Sequence, residues 1–340
     1  MLKAGAILSA GAFWWPGAPA ITAASLLTDG ETILEIGETV TRPLSQAESK
    51  RLAASGPEAA ETFETVLAEA LSRLPSEIAG IAGAEMMGQG GAIPDFNGAV
   101  LAEVLARPIA SDFAAADLRL GGAGGPLGAS LAQALARMAP EKGPLLFLEI
   151  DSAATRATYA DPALKVDKDG ALLAFKAGPG LPSLTDTGTG GSADEAALDL
   201  LLADPLFLSL APKSAKPEAF AAYFDHLETL APENAEATAL AATALSLVTG
   251  LVLLPKAPHR ALVFGPGRHD PRLLAALTEA LDCAAQPAEE AGLHGDALNA
   301  LAAAHLAVRA TRGLPTSFPG TTGVKTAVGG ASLSRPGQIG

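Results

Sequence analysis

The sequence predicts an α/β protein with two lobes of similar size, and three observations carry that reading. Strand-like and helix-like segments alternate in two rounds, one before and one after about residue 140. Short apolar runs such as residues 144–150 and 260–265 read as buried strands. Longer segments have a helical period. The clearest is residues 57–74, where Phe63, Val66, Leu67, Ala70, Leu71 and Leu74 share one face.

The elements follow in order. Residues 1–20 hold one Lys, an apolar run and Ala18-Pro19-Ala20. A leader peptide and a first core strand are the two readings, and the pattern that follows favours the strand. Residues 21–28 and 31–36 flank Asp29-Gly30 and read as a hairpin. Ser45 and Glu48 have capping-box spacing. A Gly-rich stretch covers 80–98, a helix 101–105, a short strand 108–113, a glycine loop 121–125 and a helix 127–138. In the second round, the strand at 144–150 precedes a hairpin over 166–175 that turns at Asp169-Gly170. A Gly/Pro-rich loop is expected over 176–191, and helices at 193–203, 217–229 and 234–254. The strand at 260–265 leads to helices at 271–281 and 296–312, and the tail from Gly313 reads as irregular. The expected lobes are 1–140 and 141–340. Residues 237–254 are uncharged, but Thr238, Thr243, Ser246, Thr249 and Gly250 favour a buried helix over a membrane span.

Composition excludes several function classes. Hydrophobic residues are 49% of the 340 and aromatics 4%, so the core is built from Ala, Leu, Val and Ile. A net charge of −14 argues against nucleic acid and anionic membranes as partners. Cys283 is the single cysteine, which excludes a disulfide framework and any cysteine-based metal site and suits a reducing compartment. The five histidines have no metal-ligand spacing, so no metal site is expected.

Five stretches resemble one family in order and spacing. Asp112-Phe113-Ala114-Ala115-Ala116-Asp117, then Gly121-Gly122-Ala123-Gly124-Gly125-Pro126-Leu127, is similar to its DFRxxD…GGQGAPL. Asp204-Pro205-Leu206-Phe207, then Ala211-Pro212-Lys213-Ser214, resembles DPYF…PPKS. Phe264-Gly265-Pro266-Gly267-Arg268-His269-Asp270-Pro271 is similar to CGGGRxNP, and Gly292-Leu293-His294-Gly295-Asp296 to GxxGD. The tail from Arg312 through Pro315, Ser317 and Gly320 to Gly323 is the fifth. On these motifs the chain resembles the anhydro-N-acetylmuramic acid kinase family. The resemblance implies a two-lobed actin-like ATPase/sugar kinase (ribonuclease H-like) fold and a homodimer. It also implies phosphorylation of a cell-wall amino sugar with ATP and Mg in the cytoplasm. It makes Asp112, Asp117, Gly121, Gly122, Gly124 and Gly125 sugar-binding candidates. Gly178, Gly180, Gly265, Gly267, Arg268 and Asp296 become nucleotide-binding candidates.

The family's catalytic residues are largely replaced. Its phosphate loop MSGTSLDG works through backbone N–H groups and small hydroxyls. Counted back without a gap from Asp29-Gly30, residues 13–20 stand there, with Trp14, Trp15, Pro16 and Pro19. The two indoles are expected either to fill the phosphate's space or to cover the lobe interface, and the prolines have no N–H to donate. The general base of DTGPGN falls on Lys176, before Gly178-Pro179-Gly180. A protonated lysine cannot take the water's proton unless its pKa falls by several units; it either holds phosphate as a point charge or is a solvated surface lysine, and the latter reading is slightly favoured. HGQT becomes Ala82-Gly83-Ala84-Glu85, and QLGDG becomes Pro94-Asp95-Phe96-Asn97-Gly98. NIGG-x-AN becomes residues 149–155, the Glu of GDxxEA is Asn299, and the middle Gly of GGG is Pro266. Asp186, in Thr185-Asp186-Thr187-Gly188, is a substitute base if a new loop has formed there, and a linker residue otherwise.

Two readings follow. One is a pseudokinase that binds a cell-wall sugar or pairs with an active relative. The other is a working kinase with a rearranged site, which alone would need ATP and Mg.

Overall fold

In a computed structural model, residues 5–54, 56–83, 93–140, 142–151, 154–165, 172–179, 191–209, 212, 220–251 and 254–338 are described. The chain divides into two units, residues 1–140 with 296–340, and residues 141–295. The expected break near 140 is found. The expected second lobe of 141–340 is corrected at its far end, because the chain returns to unit 1 at Asp296.

Unit 1 starts with β1 (Ile7–Phe13), β2 (Ala20–Thr28) and β3 (Ile33–Pro43), joined antiparallel. Next come α1 (Gln46–Leu52), α2 (Pro57–Ser72) and β4 (Ile78–Ala82). After these lie α3 (Gly98–Leu105), β5 (Ile109–Ser111), α4 (Ala115–Arg119) and α5 (Ala129–Met138). Unit 2 contains β6 (Leu145–Ile150), β7 (Ala154–Ala160), β8 (Leu172–Pro179), α6 (Glu195–Leu202), α7 (Ala221–Leu227) and α8 (Pro232–Leu251). It ends with β9 (Arg260–Phe264), α9 (Pro271–Leu281) and β10 (Ala284–Pro287). The chain then adds α10 (Leu298–Thr311), α11 (Pro319–Thr322) and β11 (Ser332–Ser334) to unit 1.

Among the described residues the sheets run β11-β5-β4-β1-β2-β3 and β10-β9-β6-β7-β8. In each, the unit's first three strands pair antiparallel, and its first, fourth and fifth pair parallel. Both units thus have the ribonuclease H-like strand order. One chain carrying it twice has the actin-like architecture, so the predicted fold class is found.

The sequence pattern explains the layers. The apolar face of α2 buries Phe63, Val66, Leu67, Ala70 and Leu71, with Leu74 just beyond, against β1 and β4. Each Phe, Val or Leu gains about 1.5–3 kcal/mol on burial. On the other face α10 lies almost on the strand backbone. A Cβ at Gly11 would sit 2.0 Å from Ala300 O, and one at Gly80 2.1 Å from Ala303 O. Only glycine opposite alanine permits that approach. In unit 2, Leu146, Leu148 and Tyr159 of β6 and β7 pack with Leu247 of α8 and Leu273 and Leu277 of α9.

The threonine hydroxyls of α8 bond back to their own helix: Thr243 Oγ1 donates to Ala239 O at 3.0 Å and Thr249 Oγ1 to Leu245 O at 2.6 Å. No helix of the described residues is long and apolar enough to cross a membrane. The Ser45–Glu48 capping box is present. Several details differ from expectation. The sequence reading passed over the strands β4, β7 and β10 and the helix α4, β8 extends to Pro179 where a loop was expected, and the tail contributes α11 and β11. Short, Ala-rich strands such as β7 have little periodic signal, and pairing with β6 supplies what propensity does not. The turn at Asp169-Gly170 lies outside the described residues.

Candidate functional site

In parallel α/β sheets, ligands meet the loops at the carboxyl ends of the strands. Among the described residues, two such loops of unit 1 can be followed. The first lies between β1 and β2. Trp14 N donates to Ala82 O at 3.3 Å, and Ala18 N to Trp15 O at 2.8 Å. Pro16 and Pro19 have no N–H. Trp14 does not fill a phosphate's space, which corrects one expectation. It is 3% exposed and packs in unit 1's own core beside Phe63. The Trp14 indole is therefore part of the core and does not lie over the loop. Asn97, in the QLGDG-like stretch, caps α3 by accepting from Ala99 N and Val100 N.

The second loop follows β5. Asp112 is exposed, with a left-handed backbone (φ 56). Ala114 is buried where the family pattern has Arg. Asp117 is 0% exposed, and its carboxylate accepts from Gly124 N at 2.7 Å and Thr322 Oγ1 at 2.6 Å. Asp117 thus holds the loop from below and is closed off from solvent. Gly121 is exposed, Gly122 is half-buried against Asp117, and Gly124 and Gly125 are buried.

In unit 2 the β6–β7 turn takes the place of NIGG. Arg156 is buried and donates through Nη1 and Nη2 to Asp151 Oδ2 at 2.9 and 2.8 Å. A carboxylate held at the turn is the wrong charge for a phosphate. Lys176 lies in β8 with its backbone opposite Arg156, and Gly178 lies opposite Thr155. Gly180 and Asp186 lie outside the described residues, as do Ala84, Glu85, Lys213 and Ser214.

The turn after β9 joins three candidates. Arg268 is buried, and donates through Nη1 to Gly265 O at 2.8 Å and through Nε to Glu289 Oε1 at 2.9 Å. Glu289 also accepts from Gly295 N at 3.0 Å. Burial alone would raise the Glu289 carboxyl, but its N–H bonds and Arg268 together hold it below its ordinary value. A Cβ at Gly265 would meet Ile150 O at 2.7 Å, and one at Gly267 would meet Ile150 Cγ2 at 2.8 Å. These residues brace two loops against β6, so Arg268 is spent on the scaffold. Asp270 replaces the Asn of RxNP and keeps its cap on α9. Asp296 is exposed just before α10.

Sequence reasoning missed Glu289, Arg156 and Thr322. None has a diagnostic spacing, and each matters only through a partner brought near by folding. Among the described residues no group of three or more His, Cys, Asp and Glu could hold a metal ion.

Comparison with known proteins fits this geometry. The profile of the family described as anhydro-N-acetylmuramic acid kinase matches residues 92–334. The anhydro-N-acetylmuramic acid kinase of Ruegeria sp. (strain TM1040) is 36% identical, covering 98% of this chain and 96% of its own. That of Cereibacter sphaeroides is 37% identical, with 99% and 98% covered. A ROK hexokinase of Thermus thermophilus aligns over 87% of this chain and 97% of its own, at 17% identity and a TM-score of 0.41. That score is too low to add to the topology above. On the profile match and the full-length identity, the chain belongs to the anhydro-N-acetylmuramic acid kinase family.

Proposed function

We propose that this chain is a family member that retains the two-unit fold and has lost phosphoryl transfer, and that it acts in the cytoplasm by binding. Its ligand would be a cell-wall amino sugar, and its partner a second copy or an active relative. The β1–β2 loop carries the reading. Of residues 14–19, two have no N–H and two more use theirs on backbone carbonyls. That loop does not fit the phosphates of ATP. Lys176 at the base position and the Asp151–Arg156 pair at the second phosphate turn point the same way. Each loss removes several kcal/mol of barrier lowering, and parts that act as a unit fail together.

The second reading, a working kinase, is favoured by 36–37% identity along nearly the whole chain to relatives named as kinases. It would use Asp186 as base. One assay separates the two. The purified chain is given Mg-ATP and 1,6-anhydro-N-acetylmuramic acid beside the Ruegeria relative, and phosphate transfer is followed. The pseudokinase reading expects none, and a Mg-ATP dissociation constant weaker than about 1 mM, roughly −4 kcal/mol. Wild-type turnover that disappears in Asp186→Asn overturns it.

A further inference from the structure

The C-terminal tail is built into the glycine loop of unit 1. Thr322 ends the short helix α11, where its N–H donates to Phe318 O at 3.1 Å. Its carbonyl accepts from Ala123 N at 2.8 Å, and its hydroxyl donates to Asp117 Oδ1 at 2.6 Å. The other oxygen of Asp117 accepts from Gly124 N at 2.7 Å. One buried carboxylate is thus shared between the loop backbone and a hydroxyl 205 residues away.

The loop has no strong conformational preference of its own. Gly121 and Gly124 take φ of 83° and 77°, and glycine enters either half of the map readily. Its conformation is imposed from below. Gly121 N donates to Leu118 O, Gly122 N to Asp117 O, Ala123 N to Thr322 O and Gly124 N to Asp117 Oδ2. Four successive N–H groups are turned inward, so the loop cannot cradle an anion as a phosphate loop does. Just before it in the chain, the Asp112 carboxylate follows β5, is exposed and offers acceptor oxygens. Acceptors of that kind match the hydroxyl donors of a polyol.

We infer that Thr322 is a positioning residue. Through Asp117 it sets the conformation in which residues 121–125 meet a hydroxyl-rich ligand, and so makes the tail part of the site. This rests on reading residues 121–125 as the ligand loop, and goes beyond it in assigning the residue that shapes the loop.

The test compares wild type, Thr322→Val and Thr322→Ser by amide hydrogen exchange. Thr322→Val should speed exchange across residues 121–125 by about tenfold or more, because it leaves a buried acceptor unsatisfied. Peptides from α2 should stay at the wild-type rate, and Thr322→Ser should restore protection. If Thr322→Val does not fold, Asp117→Asn must show the same local acceleration. Unchanged exchange in residues 121–125, or equal acceleration throughout unit 1, overturns the assignment. A parallel calorimetric titration with 1,6-anhydro-N-acetylmuramic acid should show at least tenfold weaker binding for Thr322→Val. If wild type does not bind this sugar, the sugar reading fails, while the exchange comparison still decides the role of Thr322.

Discussion

The indole of Trp14 lies 5.6 Å from the ring of Phe63, centroid to centroid, and is tilted by 56° inside the core of unit 1. The loop after β1 is therefore anchored to α2 by an aromatic contact. A position that falls within the family's phosphate loop now contributes to stability.

Replacing that indole should cost stability without creating a nucleotide site. Trp14→Ala is expected to destabilise the protein by about 3–5 kcal/mol, as large-to-small core changes do. Urea unfolding measures the loss. Mg-ATP binding should stay undetectable at millimolar concentration, because Pro16 and Pro19 remain. A tight Mg-ATP complex in this variant would show that the indole alone blocks the site.

On the pseudokinase reading, an aspartate at position 176 alone should not give catalysis. Lys176→Asp is expected to give no phosphate transfer above background, since Pro16 and Pro19 still leave the β1–β2 loop short of donors. The minimum that could give activity is Lys176→Asp combined with a small-residue loop over residues 14–19. Even then Asn299 and the lost HGQT stand against it. Activity in Lys176→Asp by itself would mean that the loop is competent as it stands.

Acid should destabilise unit 1 through His305. This side chain is fully buried, and its Nδ1 meets Thr28 Oγ1 at 3.2 Å. The Thr28 hydroxyl donates to Thr32 O at 2.7 Å, so it accepts from the ring and Nδ1 carries the proton. Burial pushes the imidazole down to about 3 from 6.5. The folded chain thus keeps His305 neutral while the unfolded chain protonates it below 6.5. Stability is fully present above 6.5 and falls with pH through the window down to about 3, by up to ~1.4 kcal/mol per pH unit for one proton. Urea midpoints between pH 7 and 4 should decline in wild type and flatten in His305→Asn. An identical slope in both would remove His305 as the cause.

Arg309 should hold the tail. Its buried guanidinium donates to Gly30 O at 2.5 Å and to Pro315 O at 2.6 Å, and lies 5.7 Å from the Phe318 ring. Lysine cannot reproduce that planar fork. Arg309→Lys is expected to lose about 1–3 kcal/mol and to expose the chain after Gly313 to limited proteolysis. A tail as resistant as wild type would place the anchorage elsewhere.

The sequence alone determined the α/β class, the break near residue 140, the face of α2 and the loss of donors at Pro16 and Pro19. All four depend on local chemistry: side-chain periodicity, a change of round, and the missing proline N–H. Five short motifs in order were enough to suggest the family, which whole-chain identity then established. Tertiary structure decided what the retained polar residues do. Asp117 reads as a ligand residue in its motif, yet Thr322 and Gly124 bury it as the loop's support. Arg268 reads as a phosphate contact, yet Glu289 and Gly265 use it as a brace. Trp14 reads as an obstruction, yet Phe63 draws it into the core. The strand β7 and the return of residues 296–338 to unit 1 were hidden for the same reason. A side chain's role depends on partners brought near by folding, and their distance along the chain leaves no spacing to read.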